Sequence, residues 1–208
     1  MCCLIIRFTM NFDELVQTVL GKGKRHPYTI ALEGMIGSGK SYEAEKLDEQ
    51  LGGSSIFLST DLFVIVPRTE WDRRIENDDL DLRQWYDLPK IQQTVESIKN
   101  QENFNITGLY NLSNGKFDDH LEIDARNCDY MILEGLFSCD HSLEGLIDLK
   151  IFLNISQQTA LNRAHERDET VRHLSHRGWL QKKNIFYDHY LPYLEANKDR
   201  ADVLLDPS

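Results

Sequence analysis

A doubly wound α/β fold built on a mostly parallel sheet is the class that this sequence predicts, and three observations carry the prediction. Short apolar runs alternate with helical patterns from Tyr28 to the end of the chain. Two of these runs, YMILEG from Tyr130 and LKIFLNI from Leu149, are almost wholly apolar, as strands covered on both faces must be. A glycine-rich turn joins the first run to the helix after it, and repeated strand–helix units of this kind stack into an α/β domain with helices on both faces.

The elements follow in order. MNFDELVQTVL reads as a helix capped by Asn11, because a short polar side chain there satisfies a free backbone N–H of the first turn. The segment GKGKRHP (Gly21–Pro27) then leads to a strand over Tyr28–Leu32 and a helix over Tyr42–Leu51. SSIFLST gives the next strand, which ends at Asp61. Arg68–Asp87 is dense in charge and tryptophan without a steady period and reads as a substrate-facing or mobile insertion. DLPKIQQTVESIKN is a helix with Pro89 in its first turn. The alternating stretch around Asn114-Gly115 is a hairpin, since Asn-Gly tolerates positive φ. Helices over Ser156–Arg167 and Leu180–Asn197 and a last strand in ADVLLD complete the chain. The organisation expected is an N-terminal helix and linker over 1–27 and one domain over 28–208.

Composition narrows the function classes. The 208 residues are 41% hydrophobic and 27% charged, ordinary for a globular domain with a real core. Asp and Glu outnumber Lys and Arg by 34 to 23, for a net charge of −11. Such a surface repels nucleic acid and anionic membranes, so neither is expected as a partner. The cysteines Cys2, Cys3, Cys128 and Cys139 fit neither a zinc spacing nor a compact disulfide framework and read as reduced thiols of a cytoplasmic protein. MCCLIIRF is too short for a signal peptide or a membrane span, and Met10 offers an alternative start.

The chemistry-bearing motif is Gly34, Met35, Ile36, Gly37, Ser38, Gly39, Lys40 and Ser41, which satisfies G-x-x-x-x-G-K-[ST] without a mismatch. Glycines let backbone N–H groups curl around a phosphate, and the helix that follows aims its positive end at the same anion. Lys40 is placed to neutralise the β- and γ-phosphates of ATP, and the Ser41 hydroxyl to hold Mg²⁺. The motif follows a strand and opens a helix, the context that separates a phosphate cradle from a chance glycine turn. Two carboxylates, Asp61 and Glu134, end predicted strands, where open α/β sheets place their ligand crevice.

With those residues in place the chain resembles the uridine kinase and phosphoribulokinase family of P-loop kinases from about Tyr28 to Asp206. STDLF is similar to that family's strand-end D-x-F, YDLP to its D-H-P segment, and YMILEG to its strand ending in Glu-Gly. ERDETVRHLSHRG with YLPYLEANKDRADVLLD resembles its arginine-bearing lid, here about 167–178, its long helix and its terminal strand. The resemblance implies an ATP-dependent transfer of phosphate to a hydroxyl of a small molecule. Asp61 would be the general base, Glu134 would hold Mg²⁺ through water, and Asp87 would bond sugar hydroxyls, although Asp87 also reads as the N-cap before Pro89. Tyr110 would line the acceptor pocket. Arg167 and Arg172 would neutralise the phosphoryl group in transit. The family also implies subunit association.

Two departures concern the acceptor. Val64 stands where the family's nucleoside kinases carry a tyrosine, and Gly115-Lys116 occupies the place of a base-reading histidine. Lys116 would suit an acceptor that already carries an anion. A deoxynucleoside kinase fits less well, because no D-R-S element follows the third strand. From other classes come a P-loop nucleotide switch or ATPase, and a degenerate kinase kept as a binding module. Asp61 and the lid arginines favour a kinase over the first, and the intact set Lys40, Ser41, Asp61 and Glu134 over the second.

Overall fold

The computed structural model describes residues 8–22, 27–76, 81–173 and 175–207. Cys2 and Cys3, most of the Gly21–Pro27 linker, residues 77–80 of the charged insertion and Leu174 of the lid lie outside the described residues.

Six strands form one sheet: β1 (Phe8–Met10), β2 (Tyr28–Glu33), β3 (Ser55–Ser59), β6 (Tyr130–Glu134), β7 (Leu149–Leu153) and β8 (Val203–Leu205). Their order is β1-β8-β7-β2-β6-β3, and every neighbouring pair is parallel. The remaining strands, β4 (Asn103–Leu109) and β5 (Asp119–Asp124), pair antiparallel as the expected hairpin.

Both faces of the sheet are covered, and the period-two alternation of side chains shows which residue covers which. Ile30 and Leu32 of β2 and Tyr130 and Ile132 of β6 point into one core, where α1 (Phe12–Leu20) and α2 (Lys40–Leu51) pack. Ala31, Met131 and Leu133, the intervening residues, point into the other core. That second core receives α4 (Leu88–Lys99), α5 (Gln157–Thr170) and the chain after the lid. The short α3 (Trp71–Glu76) belongs to the insertion.

The N-terminal helix is built as its sequence predicts. The Asn11 carboxamide accepts from the Glu14 N–H, and the Glu14 carboxylate accepts from the Asn11 N–H, both at 3.0 Å, which closes a capping box. Leu15 and Val19 are fully buried in the first core. Ahead of this helix stands β1, an edge strand that periodicity over three residues could not reveal; it pairs with β8 from Phe8↔Val203 to Met10↔Leu205.

The helix expected over Leu180–Asn197 is instead three pieces. α6 (His176–Lys183) widens into a π-helical turn at Asn184–Asp188, and α7 (Leu191–Asn197) begins afresh. Pro192 lies in the first turn of α7, where its missing N–H costs nothing but where it prevents a continuous helix.

Leu15→Ala is expected to lower the unfolding free energy by about 2–5 kcal/mol, the range for truncating a fully buried leucine. Urea denaturation of the two proteins measures it. A loss indistinguishable from that of a surface substitution would show that α1 is not part of the core.

Candidate functional site

Parallel register brings the site together. Leu32 of β2 pairs with Glu134 of β6, which pairs in turn with Ser59 of β3. Each strand therefore ends at the same level, and the chain leaving each one enters the crevice beside the others. From β2 comes the glycine loop, from β6 the Glu134 carboxylate, and from β3 the turn that carries Asp61. Gly135 permits this close approach: at φ +125° any Cβ would lie 2.1 Å from the Thr60 hydroxyl of the β3 turn. The Glu-Gly pair read in the sequence is thus a carboxylate followed by the one residue that lets its neighbour strand pass.

The glycine loop lies flat against α5. A Cβ on Gly37, at φ +80°, would sit 2.1 Å from the Ala160 carbonyl oxygen. Lys40, the first residue of α2, is 9% exposed and donates to the carbonyls of Gly34 and Met35, both at 3.0 Å. Among the described residues it has no carboxylate within the 4.0 Å of an ion pair. Burial pushes its ammonium down, while the charges of Glu134, Asp61 and Glu33 pull it back. Glu33 is itself buried and raised by burial; it accepts from the Tyr190 hydroxyl and, at 2.8 Å, from the Cys139 N–H. Ser38 is fully buried inside the loop and its hydroxyl has no partner there.

Ser41 Oγ donates to Glu134 Oε2 at 3.2 Å, joining the two residues expected to hold Mg²⁺. Glu134 is raised by burial, opposed by the positive charge of Lys40. Across the crevice Asp61 stands in the 3₁₀ turn Thr60–Phe63, and the Tyr86 hydroxyl donates to its Oδ1 at 3.2 Å. Tyr86 is pushed well above its ordinary value, first by burial and then by Asp61, so it stays a protonated donor.

Lys40, Ser41, Asp61, Tyr110, Glu134, Arg167 and Arg172 all line one cleft of about 1000 Å³. Asp87 and Lys116 are not among its lining residues. Asp87 caps α4, accepting from the Lys90 N–H at 3.1 Å. Lys116 lies exposed at the hairpin tip, its N–H donating to Asn114 Oδ1 at 2.8 Å. Of the acceptor-side residues expected from sequence, the structure therefore brings Asp61 and Tyr110 into the cleft and leaves Asp87 and Lys116 outside it.

The lid arginines are organised by a residue that sequence reasoning passed over. Asp168 is fully buried and meets Arg167 at 3.1 Å, Arg172 at 3.4 Å and the Lys182 ammonium. Three cations at the cleft thus share one buried counter-charge. Lys182 is drawn down to about 8, chiefly by burial. A signal for Asp168 existed: with Ala160 and Ala164 it recurs every four residues on the buried face of α5, and a carboxylate on such a face must be paired. Lys182 and Tyr86 carried no comparable local signal.

These donors fit Mg²⁺ bound together with a nucleotide. Mg²⁺ takes one or two protein carboxylates or hydroxyls and completes its shell with phosphate and water, which matches Ser41 and Glu134. Among the described residues no cluster of three or more His, Cys, Asp and Glu forms an all-protein metal site. Cys128 and Cys139 are buried free thiols. The buried Lys40, whose ammonium is bonded only to carbonyls, suits a phosphate in the loop.

A family model, that of the phosphoribulokinase / uridine kinase family, matches residues 29–207. The chain belongs to this family. A curated relative, uridine-cytidine kinase B of Dictyostelium discoideum, is 25% identical over 189 residues, covering 87% of this chain and 75% of the relative. Among solved structures, a possible uridine kinase of Bacillus stearothermophilus superposes with a TM-score of 0.68 at 18% identity, covering 94% of this chain and 97% of its own. D-glycerate 3-kinase of Cryptococcus neoformans gives 0.61 at 14% identity, with 94% and 93% covered. The fold is that of the P-loop kinases, and membership of this family makes the chain a kinase in broad class. No helix among the described residues is long and apolar enough to cross a membrane.

Lys182 gives a pH dependence with a definite sign. Between about pH 8 and 10.5 the unfolded chain holds a proton that the folded chain has released. The folded state therefore gains stability as pH rises through that window, while the cleft loses one positive charge. Affinity for a nonhydrolysable ATP analogue should fall as pH rises past 8 in the wild type and change less in Lys182→Met. Titration calorimetry from pH 7 to 9.5 checks it; parallel profiles for the two proteins would remove Lys182 from the nucleotide site.

Proposed function

We propose that this protein transfers the γ-phosphoryl group of ATP to a hydroxyl of a small-molecule acceptor, with Asp61 as general base. The observation that carries the reading is the convergence of Lys40, Ser41, Glu134 and Asp61 from three in-register strands on one cleft. A nucleotide switch has no need of a carboxylate opposite the cradle with a tyrosine holding its orientation.

Each group has a task. The loop over Gly34–Ser41 receives the phosphates on its backbone N–H groups. Lys40 exchanges its two carbonyl bonds for phosphate oxygens, which relieves a buried, unpaired charge. Ser41 and Glu134 would hold Mg²⁺, which supplies charge neutralisation and fixes the phosphates. Tyr86 orients the Asp61 carboxylate through its 3.2 Å bond. As the acceptor oxygen bonds to the γ-phosphorus, the bond from that phosphorus to the bridging oxygen breaks and ADP departs. Asp61 takes the acceptor's hydroxyl proton. Arg167 and Arg172, held by Asp168, offset the charge that spreads over the transferred group.

The acceptor end is walled by the insertion, the hairpin and the turn after the lid, and their closing over it would exclude water. The relatives are named for uridine and cytidine or for glycerate, all hydroxyl acceptors, and the present reading extends to this chain only that shared chemistry.

ADP release with Mg-ATP should depend on an added hydroxyl acceptor. Asp61→Asn should lower kcat by about 10²- to 10⁴-fold, the usual worth of a general base, with ATP-analogue affinity retained. Slow turnover indifferent to every acceptor and equal in the variant would overturn the reading.

A further inference from the structure

We propose that Tyr187 and Tyr190, two phenols in the segment that follows α6, are positioning residues of the phosphate loop. Their hydroxyls clamp the loop at the Ile36 carbonyl and at the Glu33 carboxylate, and so keep its backbone N–H groups turned to the nucleotide. The inference rests on that part of the kinase reading which seats the phosphates of ATP in the loop.

Both contacts come from one short stretch. Tyr187 belongs to the π-helical turn, Tyr190 stands directly before α7, and both are buried. Tyr187 donates to the Ile36 carbonyl at 2.5 Å, and Tyr190 donates to Glu33 Oε1. Glu33 is the last residue of β2 and directly precedes Gly34. The pair therefore grips the loop at its entry and again at its third residue. Burial pushes both phenols up, so each remains a donor at ordinary pH. Neither tyrosine lines the cleft, and Glu33 does not either. Their part is to hold the loop, not to touch substrate.

Glu33 is itself fixed from a second side. Its Oε2 accepts from the Cys139 N–H at 2.8 Å, in the turn that follows Glu134 and Gly135. The Ser138 hydroxyl of that turn donates to the Leu32 carbonyl at 2.9 Å. Phe137, in the same turn, holds φ +63°. An aromatic residue keeps so costly a backbone conformation only where its surroundings over-determine it.

What the clamp does follows from the loop's own bonds. Lys40 donates to the carbonyls of Gly34 and Met35, and the Ser38 N–H donates to that of Met35 at 3.1 Å. Once Lys40 turns to phosphate oxygens, the Gly34 carbonyl loses this donor and the Met35 carbonyl keeps only Ser38. The two phenol bonds involve neither Lys40 nor phosphate, so they outlast the exchange. The Ile36 carbonyl and the Gly37 N–H belong to one planar peptide unit and point in opposite directions. Gly37, at φ +80° and without a Cβ, offers that unit little resistance to rotation. A rotated unit would present a carbonyl where an anion needs an N–H. The bond from Tyr187 removes that freedom.

Tyr193 supplies the control. It lies in the same segment, but its hydroxyl donates to Asp140 Oδ2 at 3.0 Å and not to the loop. Affinity for a nonhydrolysable ATP analogue with Mg²⁺ is measured by calorimetry for the wild type, Tyr187→Phe, Tyr190→Phe and Tyr193→Phe, and urea denaturation gives the stability of each. The substitutions leave every ring in its packing, Tyr190 against Phe137 at 5.3 Å among them, so the variants are expected to fold. Tyr187→Phe and Tyr190→Phe should each weaken binding by about 3- to 10-fold, the worth of one neutral hydrogen bond. Tyr193→Phe should leave it unchanged, whatever its effect on stability. In turnover with uridine as the acceptor tried, KM for ATP should rise by the same factor while KM for uridine stays in place. Calorimetry decides the matter whichever acceptor supports turnover. Binding equal to wild type in the first two variants, or lowered equally in Tyr193→Phe, overturns the clamp and leaves the kinase reading intact. Failure of both to fold while Tyr193→Phe folds would show that the hydroxyls support the core and not the loop, and overturns it too. A wild type that binds no analogue removes the cradle, and with it both the clamp and the kinase reading.

Discussion

The register of three parallel strands is the constraint on which the rest of this structure depends. β2, β6 and β3 are in step from Tyr28, Tyr130 and Ser55 onward, so Leu32, Glu134 and Ser59 lie side by side. A slip of one residue in β6 would turn Glu134 from the crevice into a core and exchange Ile132 for Met131 between two differently shaped cores. The hydrophobic alternation that keeps Ile30, Leu32 and Ile132 on one face and Ala31, Met131 and Leu133 on the other therefore also fixes where the carboxylate stands. Packing energy spread over two cores holds a chemical geometry that no single contact could hold.

Charge is arranged around that geometry in two different ways. Around Arg167 and Arg172 a buried carboxylate, Asp168, gathers three cations, one close counter-charge among three positive groups. At the cradle the opposite holds: Lys40 is nearly as buried, yet its bonds go to two carbonyls. Glu33, Asp61 and Glu134 stabilise its charge from a distance, but none closes on it. A cation with a close counter-charge is held with or without a ligand, whereas one without it gains most when an anion arrives. Lys40 therefore stands to gain more from an anion in the glycine loop than the cluster around Asp168 does.

What was legible in the sequence follows from how local each requirement is. The glycine loop was legible because its chemistry needs given residue types at fixed spacing within eight positions. Asp61 and Glu134 were legible because a strand pattern ends on each, and strand ends define a crevice. Asp87 was legible only to the extent of being either a ligand or a cap, and the cap is what its carboxylate forms with Lys90. The pairings that assemble the acceptor end were not legible. Arg68 meets Leu112 across 44 residues and Tyr86 meets Asp61 across 25, and nothing in either segment announces the other. The break of the last long helix escaped notice for a related reason, since a π-helical turn keeps a helical composition while shifting every later side chain around the axis.

That turn also explains how the cleft's walls are linked. Ile185 and Phe186 of this turn line the cleft, Ile185 being fully buried as well, and the Tyr187 hydroxyl donates to the Ile36 carbonyl of the glycine loop at 2.5 Å. Phe186 packs edge-on against Trp71 at 5.4 Å and Trp85 at 6.5 Å, both from the insertion. Trp71 in turn lies beside Arg68, which holds the hairpin. Cradle, lid helix, insertion and hairpin are thus joined through one widened turn.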